Sequence, residues 1–238
     1  IRPGTYSEDK EFVISYYEIQ SHAFGAQFNP VSPLIEVENG GAFGNKVMYM
    51  SFKTAAAVHQ KLAPFYYDRA SGRLESIPII SSVGGRITIA VRHFSLIVVG
   101  AFEKEVVELG GFYETYFDPE LNGWSFANEG TWSSLGNCAG MSMGAAYYYQ
   151  NRKTSLLLKE HFDNNGYGFK TPQVPVDDAD GLRFVSALQD LYNKTWEGGY
   201  SDVFAANFSS TDEDNFWSMA YSMYLNHDPQ LLYVGNAI

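Results

Sequence analysis

Cysteine is nearly absent from this sequence, because Cys138 is the only one among 238 residues. One cysteine excludes an internal disulfide. The five histidines are scattered along the chain, and with a lone cysteine they give no spacing that suits a metal ion. A glycine-rich loop of the kind that binds phosphate groups is also lacking. We therefore expect neither a metal site nor a cofactor.

Long apolar runs are lacking too. The sequence contains no stretch of 18 apolar residues, so we expect no membrane-spanning segment. Positive charge is scarce in the second part of the chain. Residues 1–101 carry nine Lys and Arg against eight Asp and Glu, whereas residues 102–238 carry seven against 19. An acidic surface repels phosphates, which argues against nucleic acid as a partner. The step in charge predicts a domain boundary near Gly100.

Residues 1–101 are rich in β-branched and aromatic side chains that alternate with polar ones. The alternation is clearest in residues 46–53 and 86–93, and turn residues at 68–72 and 83–85 separate such segments. Short strands at roughly ten-residue spacing are typical of sandwiches. We predict an all-β sandwich over residues 1–101.

The remainder of the chain is organised around residues 132–149, which contain Cys138. Gly136 and Asn137 are loop residues, and a small, apolar run with helical spacing follows them. This pattern predicts a loop that leads into a buried helix, with Cys138 in its first turn. The free N–H groups and the positive dipole end of a helix favour a thiolate over a thiol. Cys138 is therefore a candidate nucleophile, although a lone cysteine is more often a small buried apolar residue.

Three further helices are predicted after this one. They cover residues 154–162, residues 181–192 with Asp180 as the N-cap, and residues 211–224, where acidic side chains occupy the first turn. The apolar residues 231–234 are a strand candidate that follows Pro229.

The segment around Cys138 resembles the nucleophile motif of bacterial papain-like cysteine peptidases. The resemblance is carried by Trp132, Ser133 and the Gly-Asn-Cys-x-Gly-Met-Ser run at 136–142. It implies that residues 102–238 form the mostly helical part of an α+β papain-like domain that acts on a peptide or protein substrate. It also implies a histidine base on a later strand. Residues 228–238 resemble the strand before that histidine, so we expect the base beyond residue 238 and expect this chain alone to be inactive.

Each of the other catalytic roles has more than one candidate residue. A side-chain donor to the oxyanion should lie shortly before the nucleophile, and Asn128, Ser133 and Ser134 are the candidates. His161 and His227 are the weak candidates for a base within the chain. Both lie at predicted helix ends, where a solvated cation is the more ordinary role.

Residues 1–101 resemble the β-sandwich domains of ankyrins and netrin receptors, which bacterial surface proteins also carry. The matching residues are 65–68, 71–72, 74–78 and 88–95, which close on His93-Phe94-Ser95. The resemblance implies a bacterial surface or secreted protein. Some relatives cut themselves between the Phe and the Ser of this tripeptide. Regular strand patterns flank His93 and Ser95 here, so we expect no self-cleavage.

The full prediction is a multidomain protein with an all-β sandwich at 1–101 and a papain-like cysteine peptidase domain at 102–238. The alternative is a non-catalytic binding or adhesion module on a peptidase-like scaffold. The alkylation rate of Cys138 separates the two, since only an activated thiolate reacts faster than free cysteine near pH 6. The sequence leaves the oligomeric state open.

Overall fold

The computed structural model describes residues 1–109, 114–124, 126, 128, 136–151, 158, 162, 179–193 and 212–232. Within these residues the chain contains nine strands followed by five helices. The strands are β1 (Val13–Tyr17), β2 (Asn29–Pro30), β3 (Leu34–Glu38), β4 (Met48–Lys53), β5 (Lys61–Asp68), β6 (Arg73–Ser76), β7 (Ile79–Val83), β8 (Arg86–Val91) and β9 (Leu96–Phe102). The helices are α1 (Lys104–Leu109), α2 (Pro119–Asn122), α3 (Cys138–Asn151), α4 (Ala179–Asn193) and α5 (Asp212–Asn226). The protein is therefore a mixed α and β structure.

The strands form two antiparallel sheets that share one apolar core. The larger sheet has the order β1-β3-β9-β5-β6, with β2 also paired to β9, and the smaller has the order β4-β8-β7. Alternate residues of β8, namely Ile87, Ile89 and Val91, are buried in this core together with Ile97 and Val99 of β9. This is the period-two pattern predicted for residues 86–93, and β4 is the strand predicted at 46–53. The predicted turns are also present, since Gly72, Gly84 and Gly85 adopt positive φ angles between strands.

Strand β9 is buried along its whole length because both of its faces are covered. Ile97, Val99 and Ala101 face the core between the sheets. Val98 and Phe102 lie in a second apolar cluster on the opposite face, together with Phe65 and Tyr221. A continuous apolar strand is what burial on two sides requires.

Helix α5 covers that second face of the larger sheet. Tyr221 is fully buried, its ring stacks on Phe102 at 4.1 Å between centroids, and its hydroxyl donates to the carbonyl of Gln27 at 2.8 Å. The acidic first turn of α5 is also held, because Lys61 Nζ lies 2.7 Å from Asp214 Oδ1 and Lys104 Nζ donates to Glu213. Residues far apart in sequence therefore join one compact body.

The described residues form two compact groups. One contains residues 1–109 together with 212–227, and the other contains the described parts of 114–193 together with 228–232. The first group thus includes helix α5, which the sequence prediction assigns to residues 102–238. Separate folding of residues 1–101 stays a prediction.

Three elements predicted for the second part of the chain differ from the structure or lie mostly outside the described residues. Helix α4 begins at Ala179, so Asp180 occupies its first turn and is not its N-cap. Leu231 and Leu232 are exposed and outside any strand, so the predicted strand at 231–234 does not begin there. Most of the predicted helix at 154–162 lies outside the described residues. Among the described residues, none of the helices has the length and apolar character needed to cross a bilayer.

Candidate functional site

Cys138 is the first residue of helix α3, and its side chain is exposed. The preceding turn has a plain physical basis. Gly136 has a φ of +93°, a region that residues with a Cβ rarely adopt, and the carbonyl of Asn137 accepts the first helical hydrogen bond from Met141 N–H at 2.8 Å. The chain therefore turns sharply and presents the thiol at the start of a 14-residue helix.

Asn128 holds this turn from the side. Its Oδ1 accepts a hydrogen bond from the backbone N–H of Asn137 at 2.7 Å. Asn137 itself is fully buried, whereas Asn128 is exposed. With the amide oxygen engaged, Nδ2 is the donor end of the Asn128 side chain. Asn128 therefore lies beside the turn that precedes Cys138. Its role as an oxyanion donor stays a prediction.

The opposite side of helix α3 is packed against helix α4 with almost no space between them. The N–H of Gly140 donates to Oε1 of the buried Gln189 at 3.0 Å. A Cβ built on Gly140 would stand 2.0 Å from the carbonyl oxygen of Val185. Only glycine permits this approach. The first turn of α3, which contains Cys138, is therefore held against α4.

An aromatic cluster supports the second turn of the helix. The indole N–H of Trp124 donates to the carbonyl of Met141 at 2.9 Å, and its ring lies 5.1 Å from Phe162 and 5.2 Å from Phe126. Phe162 stacks on Phe184 of α4 at 5.5 Å. Trp124 and Phe126 therefore serve as packing residues beside helices α3 and α4. Trp132 lies outside the described residues.

Residues 140–144 also match Gly-x-Ser-x-Gly, a serine nucleophile motif. In hydrolases that use this motif, the serine lies on a sharp turn between a strand and a helix. Here Ser142 lies inside α3 and donates to the carbonyl of Cys138 at 2.9 Å, four residues back. The structural context therefore does not support Ser142 as a nucleophile.

Of the remaining candidates for the site around Cys138, the structure describes only His227. Ser133, Ser134 and His161 lie outside the described residues. His227 follows helix α5, with a φ of +55° and an exposed side chain, and belongs to the compact group that contains the sheets. The other described histidines belong to that group as well, so no described histidine shares a compact group with Cys138. A base for the thiol is not identified among the described residues.

The tripeptide at 93–95 is held by aromatic contacts. The ring of His93 stacks on Tyr66 at 4.5 Å, and the Tyr66 hydroxyl donates to the His93 carbonyl at 3.1 Å. Phe94 packs edge-on against Phe12 at 5.6 Å. Among the described non-glycine residues, positive φ angles occur at Tyr116 and His227 and not at 93–95. These contacts give His93 a packing role, and the absence of self-cleavage at Ser95 stays a prediction.

Within the described part of the chain, no group of three or more His, Cys, Asp or Glu side chains is placed to hold a metal ion. One perturbed group lies on α3: burial, followed by the negative charge of Asp228, raises the pKa of Tyr149, whose hydroxyl donates to the Thr115 carbonyl. Tyr149 is therefore a neutral anchor for the last turn of the helix.

Comparison with known proteins gives no relative. No protein-family model, curated protein or solved structure matches the chain.

Proposed function

We propose that this chain belongs to a thiol peptidase of a bacterial surface or secreted protein, with Cys138 as the nucleophile. The observation that carries the proposal is an exposed thiol on the first residue of a rigidly held helix. The Gly-Asn-Cys-x-Gly-Met-Ser resemblance supplies the reaction class, and a papain-like arrangement around α3 is part of the same proposal.

The chemistry needs a thiolate whose sulfur attacks the carbonyl carbon of a peptide bond. A carbon–sulfur bond forms and the carbon–nitrogen bond breaks. The amine leaves with a proton that the protonated histidine donates. Water then hydrolyses the thioester and returns the thiol. Two donors support the developing oxyanion in this scheme, the backbone N–H of Cys138 and Nδ2 of Asn128.

The packing behind α3 supports such a role, because a preorganised site must keep its donors in place during the reaction. The contact of Gly140 with Val185 and the bond from Gly140 to Gln189 hold the helix start from behind. The bond from Asn137 N–H to Asn128 holds it from the side. The base is proposed to be the histidine that the papain-like resemblance assigns after residue 238.

Alkylation of Cys138 by iodoacetamide across pH tests the proposal, with mass spectrometry to locate the label. The matched control is the same chain in denaturant, where the thiol has lost the helix. A folded chain that reacts faster than the denatured chain below the ordinary thiol pKa of about 8.5 supports an activated thiolate. A folded chain that reacts equally or more slowly below that pKa overturns the proposal and favours the non-catalytic binding module.

A further inference from the structure

Strand β1 forms one edge of the larger sheet and is unusually apolar for an edge. Its sequence is Val-Ile-Ser-Tyr-Tyr, without a charged residue or proline. Within the described residues its only ladder partner is β3. Edge strands of soluble proteins are ordinarily protected by charges, prolines or bulges, since their free N–H and C=O groups can pair with another chain.

Apolar side chains of β1 are also exposed on the face of the larger sheet that is turned toward the core between the two sheets. Ile14 pairs with Val37, and Tyr16 pairs with Ile35, so these residues share a face of the sheet. Val37 and Ile35 are buried in the core between the sheets, whereas Ile14 and Tyr16 are 67% and 73% exposed. The smaller sheet, which has three strands, therefore leaves the inner face of β1 uncovered.

A groove of about 360 Å³ adjoins the end of β1. Its walls present polar and apolar atoms about equally, and it contains one carboxylate, that of Glu18. The lining residues are Tyr16, Glu18, Ile19, Pro30, Ser32 and Pro33. A groove of this mixed character with a single acidic group matches a lysine or arginine side chain, whose stem is apolar and whose tip is charged.

The charges around β1 are predominantly negative. Glu11 and Glu18 flank the strand, and the neighbouring strand β3 carries Glu36 and Glu38. Of the nearby cations, Lys10 is bound to Glu8 at 2.6 Å, and the Arg69 guanidinium lies over the Tyr17 ring at 5.5 Å. The position of Arg69 shows that a guanidinium fits against this strand.

We propose that β1 is a docking edge for an extended peptide segment in which apolar and basic residues alternate. The segment would add a strand to the larger sheet through main-chain hydrogen bonds. Its apolar residues would cover Ile14 and Tyr16 and extend the core. Its basic residues would lie on the other face, toward the carboxylates of Glu36 and Glu38, and one at the end would enter the groove beside Glu18.

Charge favours this occupant over a second copy of the chain. Pairing of two β1 strands would bring two sets of the same carboxylates to one interface, where like charges repel. A basic segment meets complementary charge along the strand. The proposal concerns β1 alone and is independent of any role of Cys138.

Titration of the whole chain with synthetic peptides of about eight residues, a usual strand length, tests the proposal. The first peptide alternates Val or Tyr with Lys. The matched controls are a peptide with Glu in place of Lys and a copy of the first peptide with alternate amide nitrogens methylated, which removes the donors needed for a ladder. We expect binding of the first peptide, weakening with salt, and about tenfold or greater loss with either control. Equal binding of all three peptides, or binding of none, overturns the proposal.

Variants of the protein locate the binding. Ile14→Lys and Tyr16→Lys place charge on the exposed face of β1, and we expect each to weaken the basic peptide about tenfold or more. Glu18→Gln should weaken it less and should reduce the salt dependence. Val83→Lys is the control, because Val83 is exposed on β7, an edge strand of the smaller sheet. Peptide binding should slow hydrogen exchange at 13–17, and unchanged affinity in the β1 variants would contradict the docking edge. Sedimentation that shows a dimer abolished by Tyr16→Lys, without peptide binding, would assign the edge to a second copy instead.

Discussion

Gly140 of helix α3 lies against Val185 of helix α4 so closely that a Cβ on Gly140 would stand 2.0 Å from the Val185 carbonyl oxygen. The same hypothetical atom would lie 2.8 Å from the backbone nitrogen of Gln189. Both obstacles are backbone atoms of a helix, which cannot move aside as a side chain can. The distance between α3 and α4, and with it the position of Cys138, therefore depends on the missing side chain of Gly140.

We expect Gly140→Ala to destabilise the protein by about 1–3 kcal/mol, as overpacking does. Helix propensity alone would favour alanine by about 1 kcal/mol, so the sign of the change identifies the cause. The measurement is the free energy of unfolding in urea. Gly144→Ala is the comparison, because the atoms nearest to its added Cβ are side-chain atoms of Trp124, Leu188 and Phe184 at 3.0–3.3 Å. A stabilised Gly140→Ala protein would show that the helices are not held at this distance.

Gly136 and Gly140 differ in how clearly the local sequence indicates their roles at the candidate site. The loop before Cys138 and the helix after it were predictable, because Gly-Asn followed by a helical pattern is a local signal. The contact of Gly140 with Val185 joins residues far apart in sequence, so no local pattern identifies the partner. A Gly-x-x-x-Gly spacing at 140–144 is the one feature that could have suggested close helix packing.

A second prediction concerns the alkaline stability of the protein and rests on Tyr221. Burial is the main cause that raises the pKa of Tyr221 far above its ordinary value near 10, which means that the folded protein holds this proton more tightly than the unfolded chain does. The stabilisation is complete below pH 10 and is lost as pH rises above 10 toward the folded pKa, by about 1.4 kcal/mol per pH unit. Urea unfolding of the wild type between pH 9 and about 11.5 should show this loss.

The control for this effect is Tyr221→Phe, which cannot ionise. At neutral pH it should cost about 0.5–1.5 kcal/mol, because the Gln27 carbonyl loses a donor at 2.8 Å. Above pH 10 its stability should fall less steeply than that of the wild type. Equal slopes for the two proteins would mean that Tyr221 is not buried against Phe102 as described.

Helix α5 also illustrates what the strand pattern could not reveal. The alternation in β8 predicted its buried face, since a strand with one covered face has a clear period of two. Strand β9 has no such alternation. Its continuous apolar sequence indicates that both faces of the strand are covered, but it does not identify the element that covers the second face. The cover is α5, more than one hundred residues later in the chain. Its acidic first turn was predicted from helix-dipole rules, whereas its partners Lys61 and Lys104 became visible only in the structure.

A third prediction follows from these ion pairs. The hydrogen bond from Lys104, followed by the charge of Lys61, lowers the pKa of the Glu213 carboxyl. The contribution of a lowered carboxyl pKa is present above the unfolded value near 4.3 and is lost as pH falls through the folded pKa. Lys104→Gln should therefore raise the pKa of Glu213 in an NMR titration, and added salt should raise it in the wild type. Lys53→Gln, a change at an exposed lysine on β4, is the control. An unchanged pKa of Glu213 in Lys104→Gln would show that Lys104 and Glu213 do not form an ion pair.

The last prediction is that residues 1–238 alone hydrolyse no peptide bond. The helix N-terminus favours the thiolate. A papain-like reaction also needs an acid for the leaving amine and a base for the water that hydrolyses the thioester, and general acid–base catalysis contributes about 10²–10⁴ in rate. No described histidine shares the compact group of Cys138, and the resemblance assigns the base to a later strand. Incubation with casein and with a peptide library, analysed by mass spectrometry, should therefore give the same products for the wild type and Cys138→Ala. Iodoacetamide labelling of the wild type provides the control that the thiol is accessible. Cleavage that disappears in Cys138→Ala would contradict the prediction, and loss of that cleavage in His161→Ala would then identify the base within the chain.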